Sequence, residues 1–180
     1  MITNYCKLFS MLLFLVLSSN FAKAQESKKT NYDQGFRLGF GLSNGFIFQR
    51  PYHFSYGGDV RIQYDLSKRY SLTLTTGFTN LSVSGAKNDI GFIPVKAGYK
   101  TFVWEDKFYA MGEIGAAFAT TNQYHKISLL IAPSVGYVTK YIDISLRYER
   151  YADFPKNNDD GTIGDGVGQV ALRLAYGFRL

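Results

Sequence analysis

The sequence predicts an all-β chain, an eight-stranded antiparallel up-and-down transmembrane β-barrel, and three observations carry that expectation. Eight segments alternate apolar and polar residues with a period of two. The connections between them alternate short and long, and the last segment, GQVALRLAYGFRL (168–180), runs to the final residue. A composition of 15 Phe, 14 Tyr and 18 Gly suits many strands joined by tight turns.

The first element in order is a leader. Lys7, the apolar run LFSMLLFLVL (8–17) and the small-x-small triplet Ala22-Lys23-Ala24 read as a secretory signal peptide over 1–24. That apolar run is too short to span ~30 Å of hydrocarbon. Cleavage after Ala24 removes Cys6, the one cysteine, so the mature chain is expected to hold no disulfide, iron–sulfur cluster or Cys-bound zinc. Cys6 precedes the apolar run instead of ending it, which argues against a lipoprotein. Loss of Lys7 and Lys23 takes the 20 basic residues to 18 against 14 acidic ones, a net charge of +4 in place of +6. Lys28-Lys29 is the longest cationic run left, so nucleic acid is not an expected partner. Residues 25–34 are then a periplasmic N-terminal tail and 35–180 one barrel domain.

The strands are expected at 35–43, 54–66, 70–80, 91–102, 108–118, 127–138, 141–151 and 167–180. In the second, Tyr56, Val60, Ile62, Tyr64 and Leu66 share one face, and Asp59, Arg61, Gln63 and Asp65 the other. In the third, Tyr70, Leu72, Leu74 and Phe78 oppose Ser71, Thr73, Thr75 and Gly77; in the seventh, Ile142, Ile144, Leu146 and Tyr148 oppose Asp143, Ser145, Arg147 and Glu149. Such alternation marks strands with one face buried. Pro94 and Pro133 fall inside strands four and six, where a closed barrel has no edge to absorb a missing donor, so bulges or ladder gaps are expected there.

The connections SKR (67–69), VWEDK (103–107) and TK (139–140) are short. NGFIFQRPYH (44–53), LSVSGAKNDI (81–90), TTNQYHKI (120–127) and ADFPKNNDDGTIGDG (152–166) are long. This is the pattern of short periplasmic turns and longer extracellular loops, with both termini periplasmic. A secreted, lipocalin-like barrel shares the alternation but turns its apolar face inward. Three features favour the membrane version. Aromatics gather near the segment ends on the apolar face (Phe36, Tyr56, Tyr64, Tyr70, Phe78, Tyr99, Phe108, Tyr137, Tyr148). The opposite face is small and bears isolated charges of both signs, and the last strand ends the chain.

Several stretches carry a family resemblance: YDLSKRYSLTLTTGF (64–78), IPVKAGYKTF (93–102), GEIGAAF (112–118), IAPSVGYV (131–138) and the closing GQVALRLAYGFRL. Together they resemble the small eight-stranded outer-membrane barrels of the OmpA/OmpX type, in the version common among Bacteroidetes. The closing segment resembles the signal strand read by the outer-membrane insertion machinery, with Leu180 where Phe is usual and Phe178 two residues back. The resemblance implies a bacterial outer-membrane location and identifies no activity; some members of the family assist secretion.

The charged inward face is expected to include Arg37, Asp59, Arg61, Lys96, Lys100, Glu113, Asp143, Arg147, Glu149, Arg173 and Arg179, paired into a lumen ion network because isolated charges inside a narrow barrel are costly. An eight-stranded barrel is only wide enough for side chains to fill it, which favours a plug over a conducting pore. No catalytic, cofactor or metal residues are expected. His125 and Ser128 lie three apart, on opposite faces of a strand, and no acid of matching parity completes a hydrolase site. NNDDGTIGDG (157–166) does not have the ligand spacing of a calcium loop, and GFGLSNG (39–45) precedes no helix that would cradle phosphate. Lys87, Lys126, Arg150 and Lys156 sit at the outer rim, where lipopolysaccharide phosphates are the expected contacts. The preferred function is a non-enzymatic envelope protein with four surface loops, its extracellular ligand unassigned. A narrow pore or transport and secretion accessory is the alternative, and a lipid-modifying enzyme the second.

Overall fold

Eight strands follow one another in a computed structural model: β1 (Phe36–Ile47), β2 (Tyr52–Asp65), β3 (Tyr70–Val83), β4 (Ile90–Val103), β5 (Phe108–Ala119), β6 (Ile127–Val138), β7 (Ile142–Asn157) and β8 (Ile163–Arg179). The structure describes residues 34–50, 52–83, 89–103, 107–120, 127–157 and 163–180. The expected signal peptide (1–24) and all but Gln34 of the expected tail lie outside them. Each strand pairs antiparallel with its sequence neighbour, and β8 pairs with β1 from Arg37↔Arg179 to Ile47↔Gln169, closing the barrel. We call the end that holds Phe36 and Arg179 the terminal end and the opposite one the distal end.

Strand alternation sorts the side chains between two surfaces. Leu72, Leu74, Ile114, Ile131, Leu172 and Leu174 point outward; Leu174 is 56% exposed, although it sits mid-strand. Inward at the same heights stand Thr75, Lys96, Glu113, Arg147 and Arg173, all buried. A water-soluble chain buries its leucines and exposes its arginines, so this arrangement is inverted. Aromatic pairs ring the terminal end on the outside: Phe36–Tyr64 at 4.8 Å, Tyr70–Tyr99 at 5.8 Å, Phe108–Tyr137 at 4.9 Å and Tyr141–Tyr176 at 5.8 Å between centroids. Phe46 meets Phe48 and Phe54 edge-on near the distal end. An apolar band between two aromatic girdles is what a bilayer demands of a barrel.

Both prolines interrupt the ladder. Pairing of β3 with β4 jumps from Thr76↔Val95 to Thr79↔Phe92, and pairing of β6 with β7 jumps from Ile131↔Arg150 to Ser134↔Arg147. The register is the same on either side of each jump, so these are gaps and not bulges. Pro94 still pairs Ala117 and Pro133 still pairs Gly112 on the other side, which puts each missing N–H toward β3 and β7 respectively.

The distal connections are shorter than the sequence suggests. Residues 44–47 and 52–53, 81–83 and 90, and much of 152–166 belong to strands. Irregularities at Tyr52/Phe54 and Tyr151/Pro155 break the alternation there, and a strand whose parity flips reads as a loop. Across the second one, Gly166 takes φ 100°, a left-handed conformation suited to glycine.

Candidate functional site: the barrel lumen

The inward faces of all eight strands build one column of side chains. At the terminal mouth, Arg37 Nε lies 2.8 Å from Asp65 Oδ2, and Asp65 also accepts from Gln63 (2.6 Å) and Ser71 (2.8 Å). Arg179 sits exposed beside them, its guanidinium against Gly35. Deeper in, Lys100 Nζ is 3.0 Å from Asp143, whose other oxygen accepts the Tyr109 hydroxyl at 2.6 Å. The same ammonium stands 3.7 Å from the centroid of the Tyr109 ring, a cation–π contact.

The middle of the column is more heavily charged. Arg173 forks onto Asp59 through Nε, at 2.8 and 3.0 Å, and through Nη2. Arg61 contacts Glu113 at 3.3 Å, and Thr75 donates to the same carboxylate at 2.7 Å. Lys96 lies between two acids, 2.9 Å from Glu149 and 3.8 Å from Glu113. Arg147 does likewise, 3.0 Å from Glu149 and 3.9 Å from Glu113. Glu149 also accepts from the Tyr151 hydroxyl and from Gln169.

Above Tyr151 the lumen turns apolar. Ile47, Tyr52, Leu81, Phe92, Ala117, Leu130, Tyr151, Phe154 and Val167 form one buried cluster under the distal end. Phe154 stacks on Tyr151 at 5.1 Å, and Phe92 meets both rings edge-on. The irregularity after Tyr151 is what turns Phe154 inward. Ser128 holds it in place, its hydroxyl accepting the Asp153 N–H at 3.0 Å.

Ten of the eleven residues expected from the alternation stand in the ion pairs just described, and Arg179 is at the mouth. Asp65, Tyr109, Tyr151, Thr75 and Gln169, beyond those eleven, complete the hydrogen bonding. Tyrosine in a barrel sequence suggests the girdle, yet Tyr109 and Tyr151 share parity with Glu113 and Glu149, and that parity was the available signal. His125, Lys87 and Lys126 lie outside the described residues; His53 is exposed on β2. With its hydroxyl bound to main chain, Ser128 is not arranged as a nucleophile.

No family model matches the chain, and neither does any curated protein. Solved structures do. The N-terminal β-barrel domain of Pseudomonas aeruginosa OprF aligns with TM-score 0.55 and 12% identity over 81% of this chain and 100% of its own. Ail, the attachment invasion locus protein of Yersinia pestis, aligns with TM-score 0.52 and 17% identity over 81% and 100%. A de novo designed transmembrane β-barrel aligns with TM-score 0.50 and 15% identity over 81% and 98%. The fold is therefore that of the small eight-stranded outer-membrane barrels, of the OmpA/OmpX type. A likeness that extends to a designed protein concerns architecture and not activity.

Proposed function

We propose that the chain is an integral outer-membrane barrel of the bacterial envelope, non-enzymatic, with a plugged lumen and with its specificity in the distal connections. One observation carries the reading: apolar side chains cover the outside while paired charges fill the inside. The ion pairs and the apolar cluster above them support a lumen that does not conduct ions. Lipopolysaccharide and phospholipid are the partners in this reading, with Arg150 near the distal edge of the apolar band. The strand 168–180, with Phe178 and Leu180 outward, is the segment offered to the insertion machinery. Reconstitution in planar bilayers tests the closed lumen: flat current traces are expected, and discrete conductance steps favour the pore or transport-accessory reading. Release of acyl chains from lipid A by the purified protein would instead favour an enzyme. Faster gel migration of unboiled than of boiled protein is expected, and equal mobility contradicts a barrel.

A further inference from the structure

The middle of the lumen holds more positive than negative charge. Arg61, Lys96, Arg147 and Arg173 share Asp59, Glu113 and Glu149, four cations to three anions. The pairs nearer the terminal end, Arg37–Asp65 and Lys100–Asp143, balance on their own. Asp59 is engaged by the fork of Arg173, so the surplus falls on Arg61, Lys96 and Arg147 around two glutamates. All three cations are buried, with Arg147 4% exposed.

Unused donors accompany that surplus. Arg61 Nη1, Arg147 Nη1 and the Ser134 hydroxyl are buried without a hydrogen-bond partner; among the described residues, the one obligate acceptor in that condition is Gln169 Oε1. These groups are neighbours. Ser134 stands opposite Arg147 across β6 and β7, and both arginines reach toward Glu113. On its other side Arg147 faces Ala171, so small side chains flank the guanidinium. Water satisfies donors but leaves the charge; a buried charge needs a counterion.

We propose that the lumen binds one small monovalent anion of the halide class, held by Arg147 and Ser134 with Arg61 beside them. A single surplus charge matches a single halide, and a divalent or bulky anion would reverse the imbalance or overfill the site.

The test uses the purified protein folded in phospholipid nanodiscs, with chloride exchanged for gluconate at constant ionic strength. Linkage to one site requires the folded-to-unfolded ratio to rise about tenfold per tenfold increase in chloride above half-saturation. Bromide should substitute and give an anomalous scattering peak beside Arg147 in crystals. Lys96→Met removes the surplus charge without touching an unused donor, and should abolish the chloride dependence. Where that variant does not fold, Ser134→Ala should weaken bromide binding severalfold. A wild-type ratio indifferent to chloride overturns the proposal, as does a dependence undiminished in Lys96→Met or bromide affinity unchanged in Ser134→Ala.

Discussion

Replacing Glu113 with glutamine keeps the shape of the side chain and removes one buried negative charge. The three cations around it are not equally affected. Lys96 and Arg147 retain Glu149 at 2.9 and 3.0 Å, closer than their contacts to Glu113 at 3.8 and 3.9 Å. Arg61 loses the one acid in direct contact with it, at 3.3 Å, and keeps the Thr75 hydroxyl at 3.0 Å. The variant thus strands about one cation inside the barrel, and breaking a buried pair in this way costs about 3–5 kcal/mol. Thr75 can still donate to the amide oxygen, so a repacking loss adds little. Urea unfolding in a lipid environment, followed by far-UV circular dichroism and read as a midpoint shift at unchanged slope, measures the difference. A loss below about 1 kcal/mol would refute the reasoning, because it would mean that the lumen screens charge nearly as water does.

Other perturbations separate the surfaces of the barrel. Leu174→Arg places a charge on the outward apolar band and should destabilise the folded barrel by about 2–4 kcal/mol, against about 0–1 for Ser82→Arg near the distal rim; equal costs would place the band elsewhere. Phe154→Ala empties the centre of the distal cluster, with an expected loss of about 3–5 kcal/mol by the same titration. Pro133→Ala restores an N–H on the β7 side, so hydrogen exchange at residue 133 should be slow; fast exchange would assign the ladder gap another cause.

Much of this architecture was legible because the strand period is two and the barrel has only two faces. The assignment of Asp59, Glu113, Arg147 and Arg173 to one surface followed from parity alone. The proline gaps followed from a missing donor in a closed ladder. The distal end was not legible, for a physical reason. Leu81, Phe92, Leu130 and Phe154 are apolar yet point inward, and the irregularities at Tyr52/Phe54 and Tyr151/Pro155 reverse the parity that would have revealed it. Segments 44–53 and 152–166 therefore resembled loops although most of each is strand, and strand also claims 81–83 and 90 of the segment 81–90. Which cation faces which acid was also hidden, since Arg61–Glu113, Lys96–Glu149, Lys100–Asp143 and Arg173–Asp59 cross the lumen between strands that are not neighbours.

Between Arg37 and Ile47 the inward positions of β1 are Gly39, Gly41, Ser43 and Gly45, so the middle of this strand contributes almost no side chain to the column. Arg173 uses the bareness: its guanidinium passes so close to Gly41 that a Cβ there would stand 2.6 Å from Nη2. It thereby reaches over β1 from β8 to Asp59 on β2, two residues 114 positions apart in the chain. The first strand behaves as a thin stave, fixed on both sides by main-chain bonds, with a bolt drawn across it from one neighbour to the other. That bolt engages only when the ring is complete. A sheet still open at the seam between β8 and β1 gains nothing from it, so the sealing of that seam is held by a contact that the unsealed sheet cannot share.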